Sequence, residues 1–105
     1  MIRAAALRKV TDNITVRGWQ VSPAELEGIL RAHPQIVDAA VIGVKHNNSE
    51  APKAFIVRVD VSLAEEAVKE YIASLLVSYK HLAGGVEFLE TIPRSPSGKI
   101  LRKLL

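Results

Sequence analysis

A short polar loop near the end of the chain carries the residue best suited to chemistry. Residues 93–99 read PRSPSGK, and the two prolines, two serines and glycine are typical of a tight turn. Gly98 allows the backbone to approach a ligand closely, and the Lys99 ammonium can reach a phosphate or carboxylate and neutralise charge that develops there. On pattern alone, a solvated lysine on a surface loop is the favoured alternative. A Walker-type phosphate loop is a poor match, because its first glycine is missing and Ile100 stands where it needs Ser or Thr.

Two further groups of residues are candidates for ligand contact. The first is Arg17, Gly18, Trp19 and Gln20. Trp19 could stack on a ligand, although pattern alone favours its packing in the core, and Gln20 offers a donor and an acceptor unless it simply faces outward from a strand. The second group is residues 79–81, Tyr-Lys-His, for which an ordinary charged helix end is the alternative, since the helix dipole favours cations there.

Composition narrows the classes of function. The 105 residues suffice for one domain, and the formal charge is +3. Without cysteine there are no disulfides or thiolate metal sites, and the three histidines lack metal-ligand spacing, so we predict no metal site. Aromatic residues make up only 5%, which argues against a base-stacking nucleic-acid platform. No apolar stretch reaches the roughly 20 residues of a membrane span, and we predict no secretory signal and a cytoplasmic location.

The pattern of apolar and turn residues predicts an α+β fold with a small three-stranded sheet, covering helices and a short N-terminal β-hairpin. The hairpin is expected at residues 14–21. Ser22, Pro23 and Glu25 predict a capped helix start, and Pro34 predicts its end near His33. Strands are expected at residues 36–44, 52–59 and 86–89, the first two paired across a turn at 47–50. Ser62 is expected to open a second helix, and residues 100–105 to begin a last one.

Successive blocks of the chain resemble the C-terminal domain of the adenylate-forming superfamily, which includes acyl-CoA synthetases, 4-coumarate-CoA ligases, luciferases and nonribosomal peptide synthetase adenylation domains. The blocks read VRGWQVSPAELEGIL (16–30), HPQIVDAAVIGV (33–44), PKAFIV (52–57), YKHL (79–82) and IPRSPSGKILRK (92–103). The resemblance spans about residues 14–105 and is strongest to the branch of 4-coumarate-CoA ligases and fatty acyl-CoA synthetases. Residues 1–13 form a lead-in that includes a degraded hinge.

The resemblance implies the lid domain of an acid-CoA ligase, which is not a complete ligase by itself. A large N-terminal adenylation domain, in cis or in trans, would bind ATP with Mg and a carboxylic acid. The lid would help form the acyl-adenylate and then the CoA thioester. The roles implied are catalysis for Lys99, nucleotide or substrate binding for Gln20 and Gly98, and CoA binding for Arg17, Gly18, Trp19, Tyr79, Lys80 and His81.

The hinge region departs from the family pattern. Where the family reads roughly DRxK(E/D)xIK, residues 8–15 read RKVTDNIT, so two lysines that contact ATP and substrate in the ligase branch are Thr11 and Thr15 here. Ser49 also stands where the family usually has glycine. Two alternatives therefore stay open: a stand-alone repurposed domain that binds or converts an acyl or polyketide-like small molecule without ATP, and a protein-interaction module using the face that the large domain would cover.

Overall fold

A three-stranded sheet with two helices and a separate two-stranded hairpin makes up the fold, which confirms the predicted α+β class. The computed structural model describes residues 12–105, so most of the lead-in predicted at residues 1–13 lies outside the described residues. The strands are β1 (Ile14–Val16), β2 (Trp19–Val21), β3 (Ile36–His46), β4 (Ser49–Arg58) and β5 (Gly85–Phe88), and the helices are α1 (Pro23–Arg31) and α2 (Glu65–Leu75). Short 3₁₀ turns lie at Ser78–Lys80 and Arg102–Leu104. None of the helices between residues 12 and 105 is long and apolar enough to span a bilayer.

Both β-hairpins close through two-residue turns with positive φ at each position. Arg17 and Gly18 have φ of 48° and 88°, and Asn47 and Asn48 have φ of 48° and 64°. Two-residue turns of this kind match the twist of the flanking strands, and Gly and Asn adopt the left-handed region readily. Because the second turn uses only two residues, β4 begins at Ser49, three residues earlier than predicted.

The sheet combines an antiparallel and a parallel pairing. β3 and β4 run antiparallel over almost their full lengths, from the pair His46–Ser49 to the pair Ile36–Arg58. β5 pairs in parallel with β4, from Lys53–Gly85 to Ile56–Phe88. A parallel pair needs a crossover connection, and α2 supplies it.

The alternation of side chains along β3 and β4 divides the core into two faces. Ala39, Val41, Ala54 and Ile56 lie on the helix-covered face, against both helices and the β1–β2 hairpin. Ala40 and Phe55 lie on the opposite C-terminal face, which the segment containing Ile92, Ile100 and Leu105 covers. Neighbouring residues of one strand therefore support two different layers of the protein.

The two helices begin in different ways. The Ser22 hydroxyl accepts the Glu25 N–H at 3.4 Å and Pro23 is the first residue of α1, as predicted, and α1 ends at Arg31, two residues before His33. The prediction that Ser62 opens α2 is wrong. That helix begins at Glu65, behind Ala64, which makes no side-chain cap. Both the backbone N–H and the hydroxyl of Ser62 donate to the Asp60 carboxylate, so the serine closes a loop instead.

The last predicted helix amounts to a single 3₁₀ turn, Arg102–Leu104. Its leading residue carries most of the contacts that fix it. Arg102 Nη2 donates to both carboxylate oxygens of Glu27, at 2.8 and 2.7 Å, and Arg102 Nε donates to the Val41 carbonyl at 3.2 Å. The end of the described chain is thereby attached to α1 and β3.

β3 lies at the edge of the sheet, and side chains bond the backbone groups of Ala39 and Val41 that point away from β4. The Val41 N–H donates to Glu27 Oε2 at 2.8 Å, while its carbonyl accepts from Arg102. The Ala39 N–H donates to Asp38 Oδ1 at 2.9 Å, and its carbonyl accepts from Arg31 at 3.3 Å. Glu27 is only 2% exposed, so its charge is stable there only because it is paired.

Glu27→Ala is expected to lower the free energy of unfolding by about 3 to 5 kcal/mol, because it leaves the Arg102 guanidinium and a strand N–H without their partner. Glu25→Ala, two residues earlier on the same helix, removes a surface ion pair with Lys80 and should cost at most about 1 kcal/mol. Urea unfolding of both variants measures the difference. Equal losses would contradict the assignment of Glu27 as the buried anchor.

Candidate functional site

Residues 93–101 form a closed loop whose internal hydrogen bonds converge on Ser95. The Ser95 N–H donates to the Lys99 carbonyl at 2.8 Å, and its carbonyl accepts the Gly98 N–H at 2.9 Å. The Ser95 hydroxyl accepts the Lys99 N–H at 3.1 Å. Gly98 has φ of 92°, a conformation that favours glycine, so the glycine before the lysine is required by the turn itself.

The Lys99 side chain is exposed on this loop. Its ammonium makes no hydrogen bond or ion pair with any of residues 12–105. Lys99 and Gly98 border an open groove that also includes Leu101 and Asp12. The lysine is therefore held by its backbone and free at its charged end, as a group that must meet an external anion would be.

Arg94 joins the loop to the sheet. Its Nε and Nη2 donate to the two Asp38 carboxylate oxygens at 3.2 and 2.7 Å, and its Nη1 donates to the Gly98 carbonyl at 2.6 Å. Arg31 Nε donates to the same carboxylate at 3.3 Å. Burial raises the pKa of the Asp38 carboxyl, but the hydrogen bonds from Arg94, the Ala39 N–H and Arg31 outweigh it, and the net pKa lies below its ordinary value.

Trp19 is exposed, and the pattern-based preference for the core was wrong. The residue is 58% exposed, and its ring stacks on Tyr79 with 4.9 Å between centroids and an interplanar angle of 16°. β2 is short and its residue after the turn faces outward, so a tyrosine 60 positions away, not the core, provides the packing surface. A local pattern cannot reveal that partner.

The turn containing Arg17 and Gly18 is fastened to the β3–β4 hairpin by Ser49 and Glu50. The Ser49 hydroxyl accepts the Arg17 N–H at 2.8 Å and donates to the Thr15 carbonyl at 3.1 Å. Glu50 Oε1 accepts the Thr15 N–H at 2.8 Å. The serine that departs from the family pattern therefore holds the turn, a contact that glycine could not make.

Arg17, Tyr79 and His81 line one small cleft, so the structure brings the candidates at residues 17–20 and those at residues 79–81 together. Two of the candidates already have partners within the described chain. Lys80 Nζ donates to both carboxylate oxygens of Glu25, at 2.9 and 3.1 Å, and this hydrogen bond raises the pKa of the Lys80 ammonium. His81 Nε2 donates to the Leu76 carbonyl at 2.8 Å.

Gln20 is exposed on β2, and its amide Nε2 donates to the Thr15 hydroxyl at 3.1 Å. This interaction lies within the hairpin and leaves the amide oxygen of Gln20 available to an outside group. Thr11, the other threonine that replaces a family lysine, lies outside the described residues.

The structure separates the candidates into two sets on opposite sides of the sheet. The hairpin that carries Trp19 packs on the helix-covered face, whereas the segment that carries Lys99 covers the C-terminal face. Sequence reasoning did not identify Asp38, Arg94 or Ser49 as supporting residues. Asp38 and Arg94 are 56 positions apart, and only the tertiary fold brings them together. Among residues 12–105 no three metal-ligating side chains converge.

Comparisons with known proteins agree on one family. The model for the AMP-binding enzyme C-terminal domain matches residues 25–99. A phenylacetyl-CoA ligase, epaB, from Aspergillus niger is 54% identical over 101 residues, which are 94% of this chain and 19% of that protein. A 4-coumarate-CoA ligase from Pinus taeda is 47% identical over 96 residues, 90% of this chain and 18% of that protein.

A solved structure shares the fold as well. A Mycobacterium tuberculosis fatty acyl CoA synthetase superposes with a TM-score of 0.80 at 35% identity, over 89% of this chain and 18% of that one. The chain thus spans about a fifth of the length of the relatives it matches.

Asp38→Asn is expected to change the pH dependence of stability. Because the folded-state pKa of Asp38 lies below 3.8, the ionised carboxylate stabilises the fold above about pH 4, and this contribution is lost as the pH falls through the folded-state pKa. The free energy of unfolding of the wild type should therefore exceed that of the variant most near neutral pH, and this difference should shrink toward about pH 2. Urea unfolding across this range measures it, and a difference independent of pH would contradict the ion pair.

Proposed function

This chain belongs to the family of AMP-binding enzyme C-terminal domains, and from that premise we propose that it serves as the lid of an acid-CoA ligase. In this role it works with an N-terminal adenylation domain, joined in cis or supplied in trans. The substrates of the assembled enzyme would be a carboxylic acid, ATP and CoA. The observation that carries the proposal is the arrangement of two candidate sets on opposite faces of one sheet, with Lys99 exposed in one and Trp19 in the other, and each set held by its own hydrogen bonds.

The first half-reaction would use the C-terminal face. A carboxylate oxygen of the acid attacks the α-phosphorus of ATP, the bond to pyrophosphate breaks, and an acyl-adenylate forms. Two anions must approach each other in this step, so a positive charge between them lowers its barrier. The exposed ammonium of Lys99, which has no bonded partner among residues 12–105, can supply that charge from a loop whose backbone is fixed. Gly98 lets the loop come close to the nucleotide.

The second half-reaction would use the opposite side of the domain. The CoA thiol attacks the acyl carbonyl and AMP leaves. The turn at Arg17 and Gly18, with the exposed ring of Trp19, offers a flat apolar wall suited to the pantetheine arm of CoA. The cleft that Arg17, Tyr79 and His81 share would take the nucleotide end. Lys80 would reach a CoA phosphate only by leaving Glu25.

A lid that presents one face and then the other must turn as a unit on the adenylation domain. The packing supports this, because the same strands β3 and β4 carry both layers. Gln20, whose amide oxygen is free of the hairpin bond, would contact the nucleotide side.

A second candidate function is binding of an acyl or polyketide-like molecule without ATP. Thr15 favours it, because a neutral hydroxyl already bonded to Gln20 stands where the ligase branch has a lysine that contacts ATP and substrate. Under this alternative the domain fused to a competent adenylation domain would fold but would not support adenylation.

Lys99→Ala is expected to abolish adenylation. The test protein is a chimaera in which residues 12–105 replace the matching segment of the phenylacetyl-CoA ligase of Aspergillus niger. Phenylacetate-dependent exchange of pyrophosphate into ATP should fall by at least about 100-fold, as for other lost electrostatic stabilisers of a transition state. Lys45→Ala, which removes an exposed lysine of β3 that does not border this groove, is the matched control and should retain the wild-type rate. Normal exchange by the Lys99 variant, or a wild-type chimaera no better than the ligase lacking this segment, would refute the proposal.

Trp19→Ala should affect the other half-reaction. Loss of an aromatic contact worth about 0.5 to 1.5 kcal/mol would slow thioester formation roughly two- to tenfold. In the same chimaera, conversion of synthetic phenylacetyl-adenylate and CoA to the thioester measures this step, while pyrophosphate exchange should stay unchanged. Trp19→Phe preserves a stacking ring and should remain close to wild type. Equal slowing of both half-reactions by Trp19→Ala would count against a role in the CoA channel.

A further inference from the structure

Within residues 12–105, Arg94 provides the strong polar attachment of the loop that carries Lys99 to the sheet. A single planar guanidinium donates two hydrogen bonds to Asp38 on β3 and a third to the carbonyl of Gly98. The N–H groups of arginine form a rigid fork, so bonding on two sides fixes both the distance and the angle between the bonded partners. Gly98, the residue immediately before Lys99, is thereby held at a fixed position relative to β3.

Asp38 is itself held firmly at its own end. Its Oδ1 accepts the Ala39 N–H at 2.9 Å, and Arg31 Nε donates to the same oxygen at 3.3 Å. The register of β3 with β4 shifts between Ile36 and Asp38, an irregularity that redirects side chains at a strand edge. These hydrogen bonds therefore hold the Asp38 carboxylate in one orientation.

An ordinary surface ion pair would not justify a functional role, since exposed pairs contribute about 1 kcal/mol or less. Arg94 differs because its third bond reaches Gly98 in the loop. Arg31 approaches the same carboxylate with nearly equal side-chain exposure, 38% against 33%, but its other described contacts go to the Ala39 carbonyl and, at 4.0 Å, to Glu27, not to residues 93–101. The two arginines thus separate the effect of pairing with Asp38 from the effect of holding the loop.

We propose that Arg94 is a positioning residue for the reaction assigned to Lys99: it holds the Gly98–Lys99 peptide at a fixed place relative to Asp38, so that the lysine ammonium is aimed before the substrate anions arrive. This inference rests on the proposed function. Preorganisation of this kind matters because a displacement of about 1 Å can cost about 100-fold in rate.

We call the hydrogen bonds from Arg94 to Asp38 and Gly98 the clamp. It can be tested first on the chain itself, without any assumption about catalysis. In Arg94→Met the amide protons of Gly98 and Lys99 should exchange with solvent at least about fivefold faster, as measured by NMR, because the loop opens more often. Arg31→Met removes the same positive charge beside the Asp38 carboxylate and should leave the exchange rates of both amide protons as in the wild type. Arg94→Lys retains a charge for Asp38 but has no fork to reach Gly98, so it should exchange like Arg94→Met. Unchanged amide exchange in Arg94→Met would overturn the clamp.

The consequence for chemistry is tested in the chimaera described above. Arg94→Met and Arg94→Lys should slow pyrophosphate exchange at least about tenfold while thioester formation from synthetic acyl-adenylate changes less than about twofold. A loss of general stability would slow both steps alike, and Arg31→Met would then share the defect. Either of these results would overturn the positioning role. Full pyrophosphate exchange in Lys99→Ala would instead overturn the proposed function, and the amide exchange would still decide whether the clamp exists.

Discussion

The arrangement of the domain depends on the pairing of the buried Glu27 carboxylate with Arg102 and with the Val41 N–H. A charge that is 2% exposed is tolerated only when strong partners surround it, and here the carboxylate and its two partners come from three separate parts of the chain. α1 supplies the carboxylate, the edge of β3 supplies the Val41 N–H, and the C-terminal turn supplies Arg102. One helix, one strand and the end of the described chain are therefore fixed to each other at a single point.

The pleat of two strands explains how so small a domain can offer two different working surfaces. Successive residues of β3 and β4 point to opposite faces, so the helix-covered layer and the C-terminal layer rest on alternate positions of the same backbone. A shift of one residue in the pairing of these strands would exchange the two layers. The register is protected by the tight turn at Asn47 and Asn48 and by the side chains that bond the free edge.

Residues close together in the sequence predicted most helices and strands correctly. Contacts between residues far apart in the sequence could not be predicted in this way. Ser22, Pro23 and Glu25 lie within one turn of helix, so their capping role was legible from spacing alone. Ser62 has the same spacing to Glu65 but bonds to Asp60 instead, a competition that no helix pattern expresses. Trp19 was misplaced because its partner is a distant tyrosine. Lys99 could be found by its motif, whereas the guanidinium and carboxylate that hold its loop could be found only in the folded chain.

The bonded edge of β3 has a consequence for the life of the domain outside an assembly. An open strand edge is a template on which a second molecule can add a strand and start aggregation. Here the outward N–H and carbonyl groups of Ala39 and Val41 are occupied by Asp38, Arg31, Glu27 and Arg102, so an incoming strand would have to displace ion pairs as well as water. At these two residues β3 therefore resists strand addition even when no partner domain covers it.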